Sequence, residues 1–148
     1  MKLKISVKKT IIFLTIALVI LLIFGQKFCA KTYVKLFHNH LEAYAEQLME
    51  QTAEDIESDR YGLWKVTCYK EKNMVEFRVG GSGLVFNSRY WGFYYSPDDT
   101  HRAFQGCDIP MKAESADETI ASWEEGNTDN GGKSARLLEN WFWYEAWF

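Results

Sequence analysis

The spacing of apolar side chains changes twice along the chain. Residues 11–24, IIFLTIALVILLIF, form an unbroken apolar run with Thr15 as its only polar member. Over residues 31–59 the apolar positions return at steps of three or four: Val34, Phe37, Leu41, Tyr44, Leu48, Thr52 and Ile56. That spacing predicts one long amphipathic helix, with Lys35, Asn39, Glu42, Glu46, Glu50 and Glu57 largely on its other faces. No proline or glycine stands between Gln26 and Tyr61, and Gly62 is placed as the helix stop. The helix is free to continue upstream into the apolar run, with Gly25 as its weak point.

After Gly62 the period becomes two. Trp64, Val66 and Cys68 share one side of a strand over 63–70. Val75, Phe77 and Val79 alternate with Met74, Glu76 and Arg78 in a second strand over 74–79. Glu71-Lys72-Asn73 is the turn between them, and Gly80-Gly81-Ser82-Gly83 reads as a flexible hairpin loop. Residues 84–86 and 89–96 form one interrupted strand or two short ones. They end at Ser96-Pro97-Asp98-Asp99, where proline pre-sets φ and aspartate bonds its own backbone. Residues 100–117 read as loop with one short strand, 118–124 as a strand, and GNTDNGG (126–132) as a turn. Residues 136–148 read as a terminal aromatic strand. The expected fold is α+β: a long helix packed on a twisted antiparallel sheet of four to six strands.

Composition adds an asymmetry. The net charge is −3, but residues 1–30 hold five lysines and no acid, leaving 12 of the 17 basic residues against all 20 acids, a balance of −8 for residues 31–148. An acidic body argues against nucleic acid as a partner, because phosphate contacts need clustered Lys and Arg. The basic start followed by an apolar run is the layout of an export signal or signal-anchor. The positive-inside rule then keeps the N-terminus cytoplasmic and sends the rest outward. Phe28-Cys29-Ala30 is a poor cleavage site, so the reading is an uncleaved membrane anchor over 1–30, with residues 11–24 in the bilayer. A cleaved, secreted domain is the alternative. Fourteen residues are few for a span, and Lys8, Lys9 and Lys27 extend the reach by snorkelling. Residues 31–148 form the single extracytoplasmic domain. There, a Cys68–Cys107 bridge is permitted alongside the alternative of buried thiols.

Several segments look familiar together: Leu41-Glu42-Ala43-Tyr44-Ala45-Glu46-Gln47, Gly92-Phe93-Tyr94-Tyr95-Ser96-Pro97-Asp98-Asp99, Ala103-Phe104-Gln105-Gly106, Asp129-Asn130-Gly131-Gly132 and Trp143-Tyr144-Glu145-Ala146. The set resembles a group of short membrane-anchored proteins of anaerobic Gram-positive bacteria. The resemblance implies extracytoplasmic placement, and it transfers no activity and no catalytic residue. Such relatives tend to carry a proline after the paired aspartates, where this chain has His101-Arg102.

No motif points to catalysis, to a cofactor or to a metal. Gly80-Gly81-Ser82-Gly83-Leu84 fails the nucleophile elbow at its last position. His38 and His40 stand two apart on a helix and face different ways. Asp98, Asp99, His101 and Asp108 lie close enough in sequence to converge on a hard cation, and Asn127 and Asp129 have the spacing of a calcium loop. That loop lacks its glutamate, replaced by Leu138, and turn chemistry accounts for both segments. No feature places two carboxylates at glycosidase separation.

The aromatic strands are the more open question. Alternation puts Trp141, Trp143 and Trp147 on one side of the terminal strand and Phe142, Tyr144 and Phe148 on the other. One set packs on the helix. The second set is either covered by the 100–117 loop or forms an exposed strip for a sugar or protein partner. Trp91, Tyr94 and Trp143, with Asp98 and Asp99 in the adjoining turn, are the candidate binding residues. The partner expected is another envelope protein or cell-wall glycan. An envelope hydrolase acting through Asp98, Asp99 and His101 on glycan or peptide is the reading from a different class.

Overall fold

The computed structural model describes residues 7–51, 56–84, 87–104, 108–126 and 128–148, with side chains for all of these but 7–8, 17–24, 56–57 and 84. It is an α+β fold in which one helical segment, α1 (Val7–Gln51), lies against an eight-stranded antiparallel sheet. Helix runs without interruption through Gly25, so residues 7–36, the apolar run among them, share one rod. The break falls instead at Phe37 (φ −124°, ψ 18°), whose ring leans back on Tyr33 at 4.7 Å between centroids. Val34, Leu41, Ala45 and Leu48 are buried as the stripe requires, but Phe37 is exposed.

Two corrections apply at the end of the helix. It stops at Gln51, and Ile56–Tyr61 forms β1, paired with β2 (Trp64–Tyr69) in the register Ile56↔Tyr69 to Tyr61↔Trp64. The helical spacing of Ile56 yields to the strand partner that β2 offers it, Tyr69. Thr52 lies outside the described residues. Gly62 is therefore no helix stop. It takes the first central place of a two-residue hairpin turn with φ +59°, which suits glycine.

The remaining strands are β3 (Met74–Leu84), β4 (Asn87–Tyr95), β5 (Lys112–Ala113), β6 (Ile120–Glu124), β7 (Gly131–Leu138) and β8 (Trp141–Trp147). Their order in the sheet is β1-β2-β3-β4-β8-β7-β6-β5. Two four-stranded meanders are thus joined through β4 and β8, with pairs such as Phe93↔Trp143 and Tyr95↔Trp141 at the seam. The sheet has eight strands, not four to six. One extra strand is β1. Another comes from the C-terminal segment, which folds back at Glu139-Asn140 as the β7–β8 hairpin, with Asn140 in the left-handed region (φ +64°).

The Gly80-Gly81-Ser82-Gly83 segment is also not a loop. It lies inside β3, with Gly80↔Trp91 and Gly81↔Tyr90 paired beyond a bulge at Arg78/Gly80. A side chain on Gly80 would come within 2.9 Å of the Trp91 indole. The glycines leave room for aromatic rings to lie across the strand.

Both faces of the sheet are covered. On the helix side Val66, Cys68, Val75, Phe77, Phe93, Tyr95, Trp141 and Trp143 meet Ala30, Val34, Leu41, Ala45 and Leu48. Phe77 and Phe93 stack there at 4.8 Å, a pairing that adds about 0.5–1.5 kcal/mol to their burial. On the far side Tyr69, Met74, Tyr94, Phe142, Tyr144 and Ala146 form a second core with Trp123, Ala103 and Phe104. Ala103 and Phe104, with Ile109 and Met111 packed against them, form the lid of that core.

Candidate functional site

The turn after β4 starts the site. Asp99 N–H donates to the Ser96 carbonyl (2.9 Å), closing Ser96-Pro97-Asp98-Asp99 into a β-turn, and Ser96 Oγ donates to Asp98 Oδ1 (2.7 Å). Asp98 pairs with Arg102, and Asp99 pairs with Arg136 and accepts the Asn140 N–H (2.8 Å). Burial opposes both carboxylate charges, but these donors outweigh it and hold both aspartates below the ordinary carboxylate range. The two side chains serve different partners. One closes its own loop and the other ties that loop to the β7–β8 hairpin.

His101 and Arg102 supply the loop's stiffness through hydrogen bonds. Arg102 Nε donates to the Lys72 carbonyl (2.9 Å). The Arg102 backbone N–H donates to Tyr94 Oη (2.8 Å). His101 Nε2 lies 2.9 Å from the Glu118 carbonyl, which only accepts, so this nitrogen carries the proton. In the neutral ring Nδ1 then accepts from Ser134 Oγ (2.8 Å), and Ser134 Oγ in turn accepts from the Tyr94 hydroxyl (2.6 Å). Every donor in this chain has one acceptor. Burial holds the His101 pKa below its ordinary value, and burial drives the Tyr94 phenol well up, so both stay neutral near pH 7.

A second network lies under the lid. Glu76 is 1% exposed and accepts from the hydroxyls of Tyr69 (3.2 Å) and Tyr144 (2.5 Å), with Arg78 Nε at 3.4 Å. Arg78 lies over the rings of Tyr90 (5.0 Å) and Phe104 (5.3 Å). Strand alternation puts Glu76 away from the helix, but Tyr144 is 68 residues distant and only the sheet brings it there. No local signal in the sequence marks this cluster.

Two clefts flank His101. One, of about 660 Å³, is bounded by Lys72, Asn73, Thr100, Arg102, Asp108 and Met111. The other, of about 350 Å³, is bounded by Asp99, Glu118, Ala121 and Arg136. Lys72 pairs with Asp108 there, Arg102 with Asp98 and Arg136 with Asp99. Asp98, Asp99, His101 and Asp108 therefore do not converge. Among the described residues no group of three His, Cys, Asp or Glu side chains is placed to hold a metal ion. Asn127 of the calcium-like loop and Cys107 of the permitted bridge lie outside the described residues, while Cys68 is buried in the helix-facing core.

The candidate aromatics are divided between the two faces. Tyr94 (1% exposed) belongs to the lid side, and Trp143 (3%) to the helix side. Trp91 is half-buried beneath Lys27 at 4.9 Å, and Lys31 stands 4.6 Å over Trp143. Lys27 also pairs with Glu145 at 2.8 Å, which accepts the Trp143 indole N–H at 3.3 Å. Burial opposes the Glu145 charge, yet Lys27 and the indole hold its carboxyl below the ordinary range. These residues make a helix-to-sheet joint, and the structure does not assemble them into one exposed strip. Scans of protein-family models, curated proteins and solved structures each return no match to this chain.

Proposed function

We propose that the chain is a single-pass membrane protein, N-terminus cytoplasmic, carrying an extracytoplasmic α+β domain with a binding or structural role. One observation carries this reading: helix runs unbroken from Val7 through the apolar run to the kink at Phe37, and it grips the sheet through Lys27, Ala30 and Lys31 at the exit from the apolar run. Such a joint transmits the position of the anchor to the domain. Among the described residues no helix is long and apolar enough to cross a membrane; the side chains of 17–24, which supply over half of the apolar run, lie outside them. The resemblance to short membrane-anchored proteins of anaerobic Gram-positive bacteria supports the same placement. The partner is another envelope protein or cell-wall glycan rather than nucleic acid.

A binding or structural role is favoured over hydrolysis because Asp98, Asp99 and His101 each spend their hydrogen-bonding capacity on internal partners. A hydrolase needs a carboxylate or imidazole free to exchange protons with substrate. The test is alkaline extraction of membranes from cells expressing the native chain, with intact mass of the mature protein. Retention in the membrane pellet at full mass is expected. Release into the supernatant, or loss of about the first 25–30 residues as an export signal would give, refutes the anchor in favour of the secreted form.

A further inference from the structure

Resting on the anchored reading above, we infer that the tip of the β1–β2 hairpin at Leu63, together with Phe28 of α1, inserts into the lipid headgroup region beside the anchor. The contacts between helix and sheet give the direction. Tyr44 meets Asp59 (2.6 Å), Tyr33 meets the Trp64 ring edge-on (5.2 Å), and Leu63 shares a cleft of about 340 Å³ with Gln26, Cys29 and Ala30. Moving toward the hairpin tip is thus moving back along α1 toward the apolar run. β4 repeats the trend: Tyr95 bonds Glu42 and Glu46, whereas Trp91 sits under Lys27. At a rise of about 1.5 Å per residue, Phe28 stands about 6 Å and Tyr33 about 14 Å beyond Phe24. If residues 11–24 occupy the hydrocarbon, Phe28 falls in the headgroup layer, about 5–8 Å thick on each side, and Tyr33 stands at its aqueous side.

The surface at that end has the chemistry of the layer. Leu63 is 97% exposed and Phe28 73% exposed, while Trp64 and Tyr33 are half-buried beside them. Lys27 and Lys31 supply cations at the same level of the helix. Exposed aliphatic and aromatic side chains, amphipathic rings and lysines are the mixture that settles at a membrane interface. The turn itself requires glycine at Gly62 and asks nothing apolar of the next position, where polar residues are usual. A lipid surface accounts for a leucine there.

The test uses the full chain in phosphatidylcholine–phosphatidylglycerol vesicles, with photoreactive benzoylphenylalanine replacing Leu63, Phe13 or Glu139 in turn. Glu139 stands at the opposite end of the sheet, in the β7–β8 turn. Mass spectrometry of the irradiated protein is expected to find lipid adducts at positions 63 and 13, several-fold above position 139. Adducts at 13 with only background at 63 overturn the inference and leave the anchor standing. Background at both positions overturns the anchor and the inference with it. Crosslinks from 63 to a second copy of the chain, without lipid, overturn it in favour of a protein contact.

Discussion

Removing the hydroxyl of Ser134 tests whether the 96–102 loop is held by the relay just described. Ser134 is 1% exposed and stands between Tyr94 and His101. Ser134→Ala takes away the acceptor of the Tyr94 O–H and the donor to His101 Nδ1 at once. Tyr94 is buried, so its orphaned hydroxyl bears the full desolvation penalty of about 1–3 kcal/mol. His101 is half-buried and recovers part of its bond from water, adding less than about 1 kcal/mol. The expected loss is about 2–3 kcal/mol, or about 5–12 °C in Tm for a domain of this size. The assay is thermal and urea unfolding followed by the near-ultraviolet circular dichroism of the tryptophans. Tyr94→Phe alone leaves the Arg102 N–H without its acceptor. In the double variant Tyr94→Phe/Ser134→Ala the orphaned phenol is absent, so the two losses must add to less than their sum by about 1 kcal/mol. A Ser134→Ala protein with unchanged Tm, or strictly additive losses, refutes the donor-by-donor assignment.

Three further outcomes follow from the same geometry. Burial lowers the folded pKa of His101, so the unfolded chain binds the extra proton; stability is complete above about pH 6.5 and falls as pH drops below it, a slope that His101→Gln flattens in urea titrations between pH 7 and 5. Asp98 and Asp99, also depressed, add their own loss below about pH 4. Gly92→Ala places a methyl 2.2 Å from the Phe77 carbonyl oxygen and 2.9 Å from the Tyr144 ring, in the middle of the sheet where neither strand can withdraw; a loss of about 3 kcal/mol or more is expected by urea unfolding, while an unchanged midpoint contradicts the β3–β4 register. Glu76→Ala leaves Arg78 and two phenols without their shared acceptor and is expected to cost about 3–5 kcal/mol in the same measurement, with a wild-type midpoint excluding a buried ion pair.

Much of the architecture was legible from periodicity. Val34, Leu41 and Leu48 mark the buried stripe, and Val66, Cys68, Val75 and Phe77 mark the helix-facing side of the sheet, because burial on one face imposes its own period on a chain. The split of Trp141 and Trp143 from Phe142 and Tyr144 was legible for the same reason. Local pattern failed where a distant partner decided the outcome. Ile56 satisfies a helical stripe until β2 offers it a strand partner. The glycines at 80–83 look like a turn until the rings of Tyr90 and Trp91 are laid across them. The aromatic end of the chain reads as one strand until Asn140 reverses it. Asp98, Asp99 and His101 resemble reactive groups in a row, but Arg102 closes on Asp98 within the loop, and Arg136, Ser134 and Glu118 reach the others from elsewhere in the fold.

Composition, charge and periodicity by themselves determined a basic apolar start, an acidic body, a long helix and an antiparallel sheet with alternating faces. These properties depend on neighbours within a few residues, where covalent geometry fixes which side chains share a face. Tertiary structure alone decided that β8 enters the sheet between β4 and β7, that Ala103, Phe104, Ile109 and Met111 pack on the far face, and that Glu76 is buried with Tyr69 and Tyr144. It also decided that the aromatic excess is core rather than an exposed strip. Pairings over 40 to 70 residues are set by the joint packing of both faces, and no local spacing encodes that sum.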